Sequence, residues 1–192
     1  MIEQLKTWDR ELFVYLNGLG AKGFDLFWIG VTQEEIWIPL YLLFIVLIFL
    51  FFKIKRNKIV AYAGFFASFI VAFGLTRLIK ATIKRLRPNN VESLQDIIRI
   101  LQEPTYYSFV SGHTSTSVAL STFMVLLLRD RFKWIYLVYI WPLLFAYSRI
   151  YVGVHYPSDI AAGALLGFVC GLTIYKICQR YFTEEEKVYS TN

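Results

Sequence analysis

The sequence predicts an all-α membrane protein: a polytopic bundle of about five transmembrane helices with an interfacial amphipathic helix at its N-terminus. Two observations carry that prediction. Of 192 residues, 57% are hydrophobic and 18% aromatic, with a mean hydropathy of +0.50, whereas soluble domains sit near about 45–50% apolar. Long uncharged stretches also recur along the chain, separated by short basic turns. Residues 1–192 read as a single integral membrane domain with its core at about 36–175.

Met1–Leu19 carries Glu3, Lys6, Asp9, Arg10 and Glu11 before any apolar run, the reverse of a signal peptide's basic start and apolar centre. Ile2, Leu5, Leu12, Leu16 and Leu19 partly follow helical spacing, and Trp8 and Tyr15 suit a headgroup region. Residues 1–20 are therefore expected to lie on the membrane as a helix, not to cross it. Gly23–Val31 is too short to span alone, and either extends the first span or re-enters the bilayer. That first span, Ile36–Phe52, has seventeen residues and no charge, against the roughly 20 needed to cross. Further spans are expected at about Ile59–Ile79, Thr114–Leu128, Phe132–Tyr147 and Pro157–Tyr175. The third and fourth reach full length only with flanking Ser, Thr and Tyr residues at the interface. Residues 180–192 form a polar tail.

The net charge of +6 does not point to nucleic acid, because the cations fall between spans instead of forming one soluble face. Lys53, Lys55, Arg56 and Lys58 fill one turn, and Arg129, Arg131 and Lys133 another. The positive-inside rule makes both turns cytoplasmic. The N-terminus is then outside, and the C-terminus, with Lys176, Arg180 and Lys187, is inside. The connections 80–113 and 149–157 face outward, so Lys80, Lys84, Arg85 and Arg87 run against the rule and call for a function. Cys170 and Cys178 lie eight residues apart on one helix, about 12 Å along its axis and beyond disulfide reach; they read as small apolar fillers. Gly163, Gly167 and Gly171 form a small-residue stripe of the kind that lets helices pack closely.

Three polar patches share the outer side. In Arg77–Pro88, Arg77, Lys80, Lys84 and Arg87 form one helical stripe that Pro88 ends. A basic helix end anchored to headgroups would explain this patch alone; a rigid set of phosphate donors is the other reading. In Ser108–Ser117, Ser111 and Gly112 open an apolar helix, where free N–H groups bind anions, although a plain Ser/Thr cap would look the same. In Ser148–Asp159, His155 and Asp159 stand four apart, so a carboxylate can fix the imidazole tautomer and leave the other nitrogen as nucleophile or base. A turn braced by an Arg149–Asp159 ion pair would need no such role. Taken together the bland readings weaken, because both histidines of the chain sit beside anion-binding chemistry on one side. Cations, a helix N-terminus and a His/Asp pair are the parts of phosphoryl transfer.

These residues resemble the type 2 phosphatidic acid phosphatase superfamily, which also includes the vanadium haloperoxidases. Its signature reads K-x6-R-P, then P-S-G-H, then S-R-x5-H-x3-D. Lys80, Arg87 and Pro88 supply the first part; Ser111, Gly112 and His113 the second; Ser148, Arg149, His155 and Asp159 the third. Val110 replaces the usual proline, which removes no donor or catalytic group. The resemblance, over about Ile36–Tyr175, implies an integral membrane lipid phosphatase working through a phosphohistidine. His155 would attack phosphorus, Asp159 orient it, and His113 protonate the leaving oxygen. Lys80, Arg87, Ser111, Gly112 and Arg149 would hold the phosphate, with no metal and no cofactor. Soluble haloperoxidases fit less well, since this chain carries five apolar spans.

Val91, Leu94, Ile97, Ile98 and Leu101 share a helical face and are expected to form an amphipathic surface helix, either a simple bridge or a lid over a lipid. The expected partners are the bilayer and a phosphorylated lipid: undecaprenyl diphosphate, phosphatidylglycerol phosphate, phosphatidic acid or a lipid A phosphate. The compactness of the chain favours the first. The site is expected on the outer face of the inner cell membrane. A lipid or anion transporter using the same cations is the alternative, and oligomeric state is left open.

Overall fold

The computed structural model describes residues 1–105 and 107–183, apart from the side chain of Ile2. Most of the expected polar tail, with Lys187, lies outside the described residues. Those described form eight α-helices and no strand: α1 (Ile2–Gly18), α2 (Asp25–Val31), α3 (Ile38–Phe51), α4 (Lys55–Ile83), α5 (Glu92–Gln95), α6 (Gly112–Leu128), α7 (Ile140–Tyr151) and α8 (Pro157–Gln179).

Among the described residues, three helical segments are long and apolar enough to cross a membrane: Glu34–Phe51, Lys55–Asn90 and Pro157–Gln179. They coincide with the expected first, second and fifth spans. The third, α6, is apolar but shorter. The fourth, expected as one helix over Phe132–Tyr147, is instead a 3₁₀ stretch, Lys133–Tyr139, followed by α7. Pro142 gives the reason: its ring clashes with a carbonyl four residues back, so an α-helix starts just before it. A 3₁₀ rise of about 2 Å per residue still makes the pair long enough for a hydrocarbon core of about 30 Å.

The segment α6 is the centre of the bundle. It buries polar residues, Thr114, Ser115, Ser117, Ser121 and Thr122, beside Leu120, Phe123 and Met124. The outer faces are apolar, with Leu43 and Phe49 on α3, Phe66 and Ile70 on α4, and Leu165 and Val169 on α8 all exposed. Polar inside and greasy outside is the pattern of a chain solvated by lipid. The glycine stripe joins α8 to α6: a Cβ at Gly163, Gly167 or Gly171 would fall 2.7, 2.3 and 2.5 Å from the carbonyl oxygens of Ser111, Ser115 and Ala119.

Helix α1 buries Phe13 and Asn17 and exposes Leu5, Trp8, Leu12 and Tyr15; Leu19, just past its end, is exposed too. Asn17 Nδ2 donates to the carbonyls of Arg99, Ile150 and Tyr151, and its Oδ1 accepts the Arg99 N–H. Gly23–Val31 proves to be mostly the separate helix α2, whose Trp28 packs on Tyr147 and Tyr151.

Two further local expectations fail. The amphipathic helix through Val91–Leu101 shrinks to the single turn α5. Beyond it, tertiary hydrogen bonds replace helical ones: Arg99 N–H goes to Asn17 and Leu101 N–H to the Val152 carbonyl. Leu94 is buried with Phe13, Ile150 and Tyr156, so the segment is docked on the bundle. The cationic stripe also breaks. Helix α4 ends at Ile83 with Lys84 left-handed (φ 52°, ψ 35°), and the residue before Pro88 is held extended, so Arg87 (φ −74°, ψ 154°) leaves the helix altogether.

Candidate active site

The C-termini of α4 and α7 and the N-termini of α6 and α8 meet at one end of the bundle. His155 sits in the tight link between α7 and α8. The Arg149 carbonyl accepts both the Val154 and the His155 N–H, at 3.1 and 3.3 Å. Gly153 turns the chain at φ 85°, where a Cβ would lie 2.4 Å from the Arg99 carbonyl. Pro157 then starts α8, its missing N–H costing nothing in a first turn.

The result is an imidazole only 1% exposed. Its Nδ1 is 3.3 Å from Asp159 Oδ2, an oxygen that also accepts the Tyr156 N–H at 3.0 Å. One carboxylate thus caps α8 and faces the ring. Nε2 lies 3.2 Å from Arg87 Nη1, which also donates to the Val154 carbonyl at 3.1 Å. Burial first, and then the charges of Arg87, Arg149, Lys80 and Arg85, push the His155 imidazole well below its ordinary 6.5. A neutral ring with its proton on Nδ1, toward Asp159, leaves the Nε2 lone pair facing Arg87.

The other cations are gripped from behind. Lys80 Nζ donates to the Tyr107 and Ser108 carbonyls at 2.6 and 2.8 Å, so that two of its three donors are taken among the described residues. Arg149, 4% exposed, gives Nη1 to Gln102 Oε1 at 3.1 Å, while its Nε is buried without a hydrogen bond among the described residues. Ser111 caps α6, its Oγ accepting from Thr114 Oγ1 at 2.9 Å. Its N–H donates to the Asp159 carbonyl at 3.0 Å, tying the start of α6 to that of α8. A Cβ on Gly112 would meet only Thr76 Cγ2, at 3.5 Å, so packing leaves space over that backbone. His113 stands edge-on to Phe145 at 4.8 Å and has Nε2 3.6 Å from Glu34 Oε1. Arg149, His155, Arg87 and Lys80 all act on it electrostatically.

All eight expected residues therefore converge: His155, Asp159, His113, Lys80, Arg87, Ser111, Gly112 and Arg149. Arg77 and Lys84, expected beside them, do not; both are exposed, with Arg77 over the Phe73 ring. The Arg149–Asp159 pair does not form. Asp159 Oδ1 is instead 2.8 Å from Arg85 Nη1. Arg85 stood out in the sequence only as a charge on the unexpected side; Asp9, Glu34 and Gln102 carried no signal for the site.

With this geometry in place, comparisons with known proteins agree. The PAP2 superfamily matches residues 60–182. Lipid A 4'-phosphatase of Bacteroides thetaiotaomicron is 31% identical over 188 residues, 94% of this chain and 81% of the relative. Undecaprenyl-diphosphatase of Sulfolobus acidocaldarius is 32% identical over 169 residues, 86% of this chain and 76% of that protein. The crystal structure of a transmembrane PAP2-type phosphatidylglycerolphosphate phosphatase from Bacillus subtilis superimposes with a TM-score of 0.73, covering 94% of this chain and 89% of that one, at 18% identity. The chain belongs to the PAP2 superfamily. It is a membrane phosphatase, a hydrolase acting on phosphoester bonds.

Proposed function

We propose that this phosphatase hydrolyses a phosphorylated lipid through a phosphohistidine on His155. The observation that carries the reading is the buried imidazole held between Asp159 at Nδ1 and Arg87 at Nε2. Nε2 bonds to phosphorus as the bond to the leaving oxygen breaks, and His113 donates the proton that oxygen takes up. Water, giving a proton back to His113, then displaces His155 and releases inorganic phosphate. Lys80, Arg87, Arg149, the Ser111 hydroxyl and the Gly112 backbone N–H neutralise the non-bridging oxygens, whose charge is greatest in the transition state. The unpaired Arg149 Nε and the space over Gly112 support that role. A carrier of anionic lipids would need the cations but not an imidazole braced by a carboxylate.

The names of the relatives bring two substrates forward, a lipid A 4'-phosphate and undecaprenyl diphosphate, with phosphatidylglycerol phosphate beside them. The basic turns at Lys53–Lys58 and Arg129–Lys133 support a site on the outer face of the inner membrane. Phosphate release by purified protein from those three lipids and phosphatidic acid tests the reading. Activity is expected to survive excess chelator and to be blocked by vanadate, whose five-coordinate geometry matches the transferring phosphoryl group. Loss of activity under chelation, restored by magnesium, would sink the cationic site; lipid movement without phosphate release would favour a carrier.

A further inference from the structure

Arg85 and Arg87 stand two residues apart on the segment leaving α4, and they address opposite nitrogens of one imidazole. Leu86 between them is 56% exposed. Arg87 reaches Nε2 directly. Arg85 reaches Nδ1 through Asp159, donating from Nη1 to Oδ1 at 2.8 Å while Oδ2 faces the ring. The same Nη1 is 2.7 Å from Ser158 Oγ; Nη2 donates to Asp9 Oδ2 at 2.7 Å; and the guanidinium lies 3.9 Å over the Tyr156 ring. With both terminal nitrogens on carboxylates, Arg85 is not one of the phosphate donors.

Asp9 arrives from α1. Its Oδ1 accepts the Ser158 N–H at 2.8 Å, and its Oδ2 accepts from Ser158 Oγ and from Arg85. A carboxylate from the first helix thus rests on the positive N-terminus of the last one. We infer that Arg85 and Asp9 are positioning residues for the nucleophile. Arg85 keeps Asp159 ionised and turned toward His155, and Asp9 keeps Arg85 and the first turn of α8 in register. This rests on His155 being the nucleophile. Asp159 is 0% exposed, and a carboxylate so buried needs a countercharge. A neutral His155 supplies none until Nε2 bonds to phosphorus and the ring becomes positive. At that moment the carboxylate must be anionic and facing Nδ1.

The test uses the full chain in detergent, with p-nitrophenyl phosphate hydrolysis and ¹⁸O exchange between labelled inorganic phosphate and water as rate probes, so the lipid's identity does not enter. Arg85→Met is expected to lower kcat by about 10- to 100-fold, the size of loss seen when the hydrogen-bonded groups behind metal-ligating histidines are removed. The inhibition constant of inorganic phosphate should stay within about twofold, because the phosphate donors are untouched. Arg85→Lys should recover part of the rate. Asp9→Asn, which keeps an acceptor for Ser158, should lose less, and the Asp9→Asn/Arg85→Met double variant should be no slower than Arg85→Met alone, as for residues acting through one contact. An unchanged kcat in Arg85→Met, a matching rise in the phosphate inhibition constant, or additive losses in the double variant overturns the proposal. Should Arg85→Met fail to fold, Asp9→Asn decides by the same split between kcat and phosphate inhibition. Activity retained by His155→Ala would defeat the nucleophile reading instead, whatever the Arg85 variants do.

Discussion

At the end of the bundle that holds His155, charge is buried: Asp159 is 0%, Arg149 4%, Arg87 6% and Lys80 9% exposed. At the opposite end Lys53, Lys55, Arg129 and Lys133 are exposed. There Arg131 donates to the Phe51 carbonyl, and Lys58 covers the Phe49 ring at 4.1 Å. The cations are about as numerous at both ends, but their surroundings differ. An exposed cation near headgroups acts as one of several interchangeable charges, and the membrane reads their sum. A buried one belongs to a network, so removing it strands a partner without compensation. On the proposed reading, charge at one end sets orientation and charge at the other does chemistry.

Substitutions sharpen or break this contrast. His155→Ala carries the largest expected effect, a loss on the order of 10⁴-fold or more, as for removal of a covalent nucleophile. Quench-flow with labelled substrate should find no phosphoenzyme, and trapping one in this variant would move the nucleophile elsewhere. Next is His113→Ala, whose cost depends on the leaving group. General acid help is worth about 10²–10⁴-fold, so an alkyl monoester should suffer far more than p-nitrophenyl phosphate; equal losses would remove His113 from that role. Arg149→Ala should lower kcat/KM by about 10²–10³-fold, as for loss of one aimed donor, with kcat and KM both affected. A smaller effect is a displacement in pH. His155 must be unprotonated to attack, and burial with the surrounding cations holds it well below 6.5. As pH falls through 6.5 the free base therefore persists, and the acid limb of kcat/KM should appear only at lower pH. A limb at or above 6.5 would contradict this environment. Smallest of all, Arg129→Gln or Lys133→Gln should change activity in detergent by less than about twofold, since exposed charges seldom matter singly.

Much of the site was legible because its chemistry is local in sequence. His155 and Asp159 are one helical turn apart, Ser111 and Gly112 open a helix, and Arg87 precedes a proline. What stayed hidden depends on contacts between distant residues. Asp9 looked like one more charge on an amphipathic helix, and nothing in its neighbours says that it meets Ser158. Arg85 was masked by three other cations within eight residues. The first, second and fifth expected spans were legible from hydropathy, whereas α6 is shorter and Pro142 splits the fourth; the surface helix after α5 failed because periodicity cannot register a hydrogen bond from the Arg99 N–H to Asn17. Tertiary partners overrode a weak local preference there.

The bond between Asp9 and Ser158 joins residues 149 apart in the chain, which gives the site a place in time as well as in space. At synthesis rates of about 5–20 residues per second, the first helix waits roughly 7–30 s before its partner is made. Arg85 waits for Asp159 for about half of that interval. Until α8 enters the membrane, Asp9 lacks Ser158, Arg85 lacks Asp159, and His155 has no carboxylate to align it. On the proposed reading hydrolysis waits for α8: a chain stalled at Pro157 already carries His155 but lacks Asp159 and the helix start that align the ring.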